Sequence, residues 1–345
     1  MIRRALLSSA LLLPFAARGQ PVRPQSGRKG FYDGGTKQRA VRFAGSGGVT
    51  LAGTLLLPIK SELQKVPGVV LVAGSGPTDR DGNNPLAPER IDLLKQLAGL
   101  LAEAGIASLR YDKRGIGAST PRLKGLLEEE ERFVSWDNFV GDVVAAHAEL
   151  LRHDEIKPYA TALLGHSEGG LLALAATPQI AKHKPYALVL AATPGRPFGE
   201  ILRGQIARSA PALSEGVQRV IASIRETGHI PSGLPKELEA VFPTYAGPFL
   251  QRLMAFDPAR ALAALDQPCL VIHGGADRLI VPMEDVQPLI DALGKRKVSG
   301  EAVVFPSVSH NLKLITWPTD AGFGGQVAPA VAGKLADWLK TALGA

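Results

Sequence analysis

Cysteine is almost missing from this chain: Cys269 is the only one. A lone thiol excludes an intramolecular disulfide and any cysteine-based metal cluster. Cys269 sits in the apolar run Cys269-Leu270-Val271-Ile272, where it is expected to pack as a small hydrophobe. No apolar run is long enough to span a bilayer. No His, Asp or Glu cluster has metal-ligand spacing, so neither a metal nor another cofactor is expected. Repeats and low-complexity tracts are absent as well. The formal charge is +7, with Arg3, Arg4 and Arg18 in the first nineteen residues, which leaves about +4 for the rest. That surplus is dispersed and forms no basic stripe with interleaved aromatics, so a nucleic-acid partner is not expected.

What is present is bulk and pattern. At 345 residues and 46% hydrophobic, the chain can build one large domain with a fully buried sheet, or two small ones. Residues 1–19 read as a secretory signal: Arg3-Arg4, then the short apolar run Ala5 to Ala17, then small residues at Ala17 and Gly19. Cleavage is expected before Gln20, an uncleaved anchor being the alternative. The mature protein is expected to be exported, periplasmic or secreted from a bacterium, with no membrane span. Oligomeric state is not fixed by the sequence. Residues 20–36, rich in Pro, Gly, Arg and Lys, read as a flexible arm before a domain at 37–345.

Within that domain, apolar runs alternate with helical periodicity. Val41 to Phe43 and Val49 to Leu57, around Gly45-Ser46-Gly47-Gly48, suggest an antiparallel hairpin at a sheet edge. Val69 to Ala73, Ile106 to Tyr111, Ala160 to Leu164, Ala187 to Ala191, Cys269 to Ile272 and Ala302 to Phe305 have the length and apolarity of buried strands. Pro88 to Ala104, Trp136 to Leu151, Asp285 to Leu293 and Val327 to Leu343 fit helices, with Gly105 as a C-terminal cap. The alternation predicts an α/β fold: a mostly parallel sheet with helices on both faces. More than seventy residues separate Ala192 from Cys269, too many for one crossover. About 196–262 is therefore read as an inserted helical cap over the sheet's C-terminal edge, where open α/β folds bind ligands.

The chemistry centres on Gly165-His166-Ser167-Glu168-Gly169. An apolar run precedes it and a small-residue helical pattern follows, the strand–turn–helix order that a nucleophile elbow requires. A serine hydroxyl attacks a carbonyl only with a general base and an acid that orients the base. Beside an elbow these partners lie on loops after later strands, acid first. Asp277 follows the strand ending in His273-Gly274-Gly275, and His310 follows Ala302 to Phe305. His166 is expected to point away from the elbow tip, and His273 reads as a buried structural imidazole. An oxyanion hole needs two backbone N–H groups. Glu168, next after the serine, supplies one. Ser75 in Ala73-Gly74-Ser75-Gly76-Pro77 supplies the other, with Gly76 as fallback.

Three motifs together resemble the α/β-hydrolase superfamily, over about Val41 to Leu343: Gly74 to Asn83, Tyr111 to Ser119, and Gly165 to Gly170. Within it they are most similar to bacterial esterase-like hydrolases of the serine aminopeptidase and dienelactone-hydrolase groupings. The resemblance implies Ser167, Asp277 and His310 as nucleophile, acid and base. It also implies a structural role for Asp112, Arg114 and Ser119, with Asp112 and Arg114 tying their loop beneath the oxyanion loop. Asp79, Arg80 and Asp81 are placed at the entrance. Many members carry His-Gly where this chain has Ala73-Gly74. The function expected is hydrolysis of small carboxylic esters through an acyl-enzyme. The alternatives are a peptidase using carboxylates such as Glu200, Glu215, Glu226, Glu237 or Glu239 to hold a free amino terminus, or a non-catalytic binding protein on the same scaffold.

Overall fold

In a computed structural model the described residues are 36–345, apart from residues 123, 240 and 318 and the side chain of residue 60. The expected signal segment, and the arm up to residue 35, lie outside the described residues. Thr36, assigned to the arm, is instead the first residue of a strand.

The hairpin forms as expected. β1 (Thr36–Ala44) pairs antiparallel with β2 (Thr50–Pro58). Strands β3 (Val66–Val72), β4 (Ala107–Tyr111), β5 (Ile156–His166), β6 (Ala187–Ala191), β7 (Cys269–Gly274) and β8 (Gly300–Phe305) complete one eight-stranded sheet in the order β1-β2-β4-β3-β5-β6-β7-β8. From β4 to β8 all neighbours are parallel. Strands β3, β4, β6 and β7 are buried along their whole length, which explains their continuous apolar runs.

Helices α1 (Leu93–Glu103), α2 (Leu127–Phe133), α3 (Trp136–Leu150) and α4 (Glu168–Ala176) precede β6. Five more, α5 (Phe198–Ser209), α6 (Ser214–Thr227), α7 (Lys236–Glu239), α8 (Gly247–Ala255) and α9 (Pro258–Ala263), fill the interval before β7. Then come α10 (Gln287–Gly294) and α11 (Pro329–Leu343). Two apolar cores result. One joins α1 and α11 to one face of the sheet. The other joins α3, α4 and α10 to the opposite face and extends without a break into α5, α6 and α8, with Trp136 and Phe139 against Phe249.

Two departures have local causes. The helix expected from Pro88 starts only at Leu93, because Asn83 Oδ1 accepts the Ile91 and Asp92 N–H groups and Asp92 adopts φ 48°. Helix α2 went unread because none of its residues is buried, so it carries no apolar period.

The loop after β4 is held by three consecutive charged residues. Asp112 accepts from the Arg80 backbone N–H at 2.8 Å, pairs with the Arg80 guanidinium at 2.6 Å, and accepts from the Ala118 N–H. That bears out its expected tie to the loop after β3. Ser119 Oγ, likewise structural, donates to Asp112 O and accepts from the Ala52 N–H. Arg114 corrects the expectation: it turns away from the oxyanion loop and grips Asp142 of α3 with two bonds of 2.7 Å, while donating to Phe133 O and Ser46 O. Both side chains are almost fully buried, 1% and 2% exposed. Removing the guanidinium leaves a buried carboxylate without a counter-charge, so Arg114→Met should lower the unfolding free energy by about 3–5 kcal/mol. Urea denaturation should further find much of that loss recovered in Arg114→Met/Asp142→Leu, which leaves no buried charge unpaired.

Candidate active site

Strand β5 ends at His166, and Ser167 follows at φ 55°, ψ −123° before α4 starts. A residue with a Cβ seldom occupies positive φ unless its surroundings hold it there. Ser167 N–H donates to Ala191 O at 2.8 Å, and Gly170 N–H donates to Ser167 O at 3.0 Å. A Cβ on Gly165 would strike the Gly169 backbone, and one on Gly169 would strike the Val72 carbonyl. The two glycines are therefore required by the close approach of β3, β5 and α4 around the turn.

Asp277 lies on the loop just past β7. Its Oδ1 accepts the N–H groups of Leu279 and Ile280 at 2.8 and 2.9 Å. Its Oδ2 lies 2.7 Å from His310 Nδ1. Burial opposes the charge, but attraction to His310 and hydrogen bonds from His273 and His310 outweigh it and hold the carboxyl well below the usual carboxylate range. An ionised carboxylate only accepts, so Nδ1 of His310 carries a proton, and Nε2 is the ring nitrogen left for the serine. Ser167 Oγ is buried without a hydrogen-bond partner among the described residues, and Ser167 lines one cleft together with His310, Gly74 and Ser75. Nucleophile and base are commonly unbonded before substrate arrives. A Cβ on Gly74 would lie 3.3 Å from Ser167 Cβ, which sets the β3 loop directly against the serine. Glu168 is the first residue of α4, so its N–H is one of the donors a helix leaves unpaired at its start. Gly76, the fallback donor, turns the chain at φ 72° and is not among the lining residues.

The rest of the cleft is lined by Gly82, Ile91, Leu93, Leu94, Leu279 and Phe323, with Thr78, Asn84, His166 and Asn311 as polar members. Among the described residues no carboxylate and no residue of 196–262 lines it. The inserted helices reach it indirectly, through Gln205, which donates to Leu279 O at 2.9 Å. Arg196 similarly grips Asp285 below that loop.

Two expectations need correction, and a third gains a contact. His166 does not point away: its Nε2 lies 2.9 Å from His310 O, and the two rings lie 4.9 Å apart between centroids, tilted by 56°. The carbonyl accepts, so Nε2 of His166 carries its proton. Asp79, Arg80 and Asp81 do not line the cleft. Asp79 folds its own loop by accepting from Asp81 and Asn83, Arg80 pairs with Asp112, and Asp81 pairs with Arg110. His273 is buried and structural, as expected, yet it also touches the acid: its Nε2 lies 2.8 Å from Ile280 O and 3.2 Å from Asp277 Oδ2. Its place four residues before Asp277, at the end of a buried strand, was the available signal.

Comparison with known proteins bears on the same residues. The family model described as serine aminopeptidase, S33, matches residues 88–314, which is more than half of the chain and includes Ser167, Asp277 and His310. The chain belongs to this family. It is also 28% identical over 281 residues to Esterase EstD of Thermotoga maritima, covering 79% of this chain and 62% of that protein, so this chain spans less than two thirds of that relative. Among solved structures, an esterase of Pyrococcus furiosus aligns with a TM-score of 0.57 at 16% identity, covering 94% of this chain and 99% of that one. Est1E of Butyrivibrio proteoclasticus with ferulic acid bound aligns with a TM-score of 0.56 at 15% identity, covering 88% and 99%. An acylaminoacyl peptidase of Pyrococcus horikoshii gives 0.57 at 13% identity, covering 90% and 42%. The fold shared with them is the α/β-hydrolase fold.

Two buried imidazoles near the sheet should each favour unfolding in acid. Burial lowers the pKa of His166 from 6.5 to about 3, and that of His147, whose Nε2 meets Thr161 Oγ1, to about 4. Below 6.5 these two groups take up protons in the unfolded chain that the folded chain refuses, so their contribution to stability is lost as pH drops from about 6.5 towards 4, whereas Asp79, whose carboxyl burial raises to about 6, works the other way below about 6. On acidification across this range the wild-type denaturant midpoint should lose ground relative to that of His147→Gln/His166→Gln, which lacks both imidazoles.

Proposed function

We propose that this protein is a serine hydrolase that cleaves carboxylic esters of small substrates through an acyl-enzyme. Ser167 is the nucleophile, His310 the general base and Asp277 its orienting acid. Backbone N–H groups of Ser75 and Glu168 receive the oxyanion. The observation that carries the reading is the convergence of a serine held at positive φ, an imidazole bonded to an ionised carboxylate, and a Gly-Ser loop on one cleft. Membership of a serine hydrolase family and the likeness to an esterase support it.

In the reaction Ser167 Oγ attacks the ester carbonyl while His310 Nε2 takes its proton. The carbonyl oxygen becomes an oxyanion, and two fixed N–H groups stabilise it without reorganising. Collapse breaks the bond to the alcohol, which leaves with the proton held by His310. Water then repeats the sequence on the acyl-enzyme, with His310 as base, and the acid is released.

The peptidase alternative requires a carboxylate to hold a free ammonium. None lines the cleft among the described residues, and Glu200, one of the candidates, pairs with Arg196 instead. Apolar walls of Ile91, Leu93, Leu94, Leu279 and Phe323 favour an uncharged acyl group. The 196–262 helices act as a cap in this reading, setting access through the Leu279 loop. Export from the cell, under the amino-terminal signal, completes the proposal.

Short-chain nitrophenyl esters should be hydrolysed, and aminoacyl nitroanilides should be poor substrates. Ser167→Ala and His310→Ala should each lower kcat by about 10³-fold or more, and Asp277→Asn by about 10⁴-fold through the wrong imidazole tautomer. Wild-type turnover in the first two would overturn the assignment. Preferred cleavage of the nitroanilides would favour the peptidase.

A further inference from the structure

Lys113 and Glu168 form a buried ion pair beside the nucleophile. The Lys113 ammonium donates to Gly74 O at 2.5 Å and lies 3.7 Å from Glu168 Oε1, with the two side chains 3% and 5% exposed. Among the described residues neither Glu168 oxygen has a hydrogen-bond partner, and the ring of Phe139 lies 6.0 Å from the ammonium. Desolvating two such charges costs several kcal/mol per ion, and their attraction returns it only with excellent geometry. A pair of apolar side chains would fill the same space at no such cost. Packing alone therefore does not account for the pair.

We propose that the Lys113–Glu168 pair is a positioning device that fixes the two N–H groups of the oxyanion hole relative to each other. The inference rests on the Ser75 and Glu168 assignments of the proposed function. Gly74 O and Ser75 N–H belong to one amide plane, and no peptide bond among the described residues is cis. In a trans amide the C=O and N–H point in opposite directions. An ammonium that holds the Gly74 carbonyl therefore fixes the direction of the Ser75 N–H. It also draws electron density through the amide and strengthens that N–H as a donor. The same cation faces the carboxylate of Glu168, the residue whose backbone N–H is the second donor. One side chain from the loop after β4 thus spans the loop after β3 and the start of α4, and sets their separation. Burial lowers the pKa of Lys113 and raises that of Glu168, and each charge counters the shift in the other.

The test uses the full chain with Lys113→Met, Glu168→Gln and the double variant, a short-chain nitrophenyl ester, and an alkylboronic acid that forms a tetrahedral adduct on the serine. For Lys113→Met, kcat should fall on the order of 10- to 100-fold, with KM within about twofold. Boronic acid affinity should weaken by a similar factor. Glu168→Gln, which keeps the shape and an acceptor oxygen, should retain more activity. The double variant should be no worse than Lys113→Met, because both residues act through one geometry. If Lys113→Met does not fold, the double variant, with no buried charge left unpaired, carries the comparison. Unchanged kcat and boronic acid affinity with a lowered melting temperature would overturn the inference and leave the pair a stabilising contact only. A Ser167→Ala variant run alongside separates the two failures. If it is inactive while the Lys113 variants are unimpaired, only the positioning role is lost. If it is active, the nucleophile assignment itself is wrong.

Discussion

Three backbones meet at Ser167 more closely than side chains allow. Gly165 at the end of β5, Gly169 at the start of α4 and the Val72 carbonyl of β3 leave no room for a Cβ between them. That approach holds Ser167 at φ 55° in the wall of the cleft, and it puts the first turn of α4 beside the loop after β3. Everything else in the site is arranged around that fixed point. Asp277 and His310 arrive on loops from β7 and β8, whose parallel pairing runs in register to Gly274 and Phe305. Both loops therefore leave the sheet at the same edge as the elbow.

A second constraint is electrostatic. Asp112, Lys113 and Arg114 are consecutive, all buried, and each reaches a different piece of the chain: Arg80 in the loop after β3, Gly74 and Glu168 at the cleft, and Asp142 on α3. Asp112 and Arg114 are tolerable there because each has several hydrogen-bonded partners, and Lys113 holds the Gly74 carbonyl. The loop after β4 is thus the frame that joins the hairpin, the β3 loop and α3 behind the cleft.

Much of this was legible in the sequence, for reasons that also explain what was not. Buried parallel strands are continuous apolar runs, so β3 to β7 stood out, and a loop carboxylate or imidazole just past such a run can be placed at one sheet edge. Asp277 and His310 were found that way, and the structure brings them together at 2.7 Å. His166 was misplaced because strand alternation describes the sheet but not a later loop returning over it. The His310 backbone comes from 144 residues away. Arg114 was given the wrong partner because Asp142 lies on the far helix, and no local spacing links the two. Asp79 to Asp81 read as entrance charges because their partners Arg110 and Asp112 are brought to them only by the β3–β4 pairing. The apolar walls, from Ile91 to Phe323, carry no motif at all. Among the described residues none of 196–262 lines the cleft, and Gln205 meets it only at second hand, by donating to the Leu279 carbonyl.

The most direct measurement is covalent. An alkyl fluorophosphonate phosphonylates only a serine that is activated and supported by an oxyanion hole, and peptide mass spectrometry locates the adduct. One adduct, on the peptide containing Ser167 and lost in His310→Ala, is the expected result. An adduct on another serine, or hydrolytic activity that survives with Ser167 unmodified, would contradict Ser167 as the nucleophile.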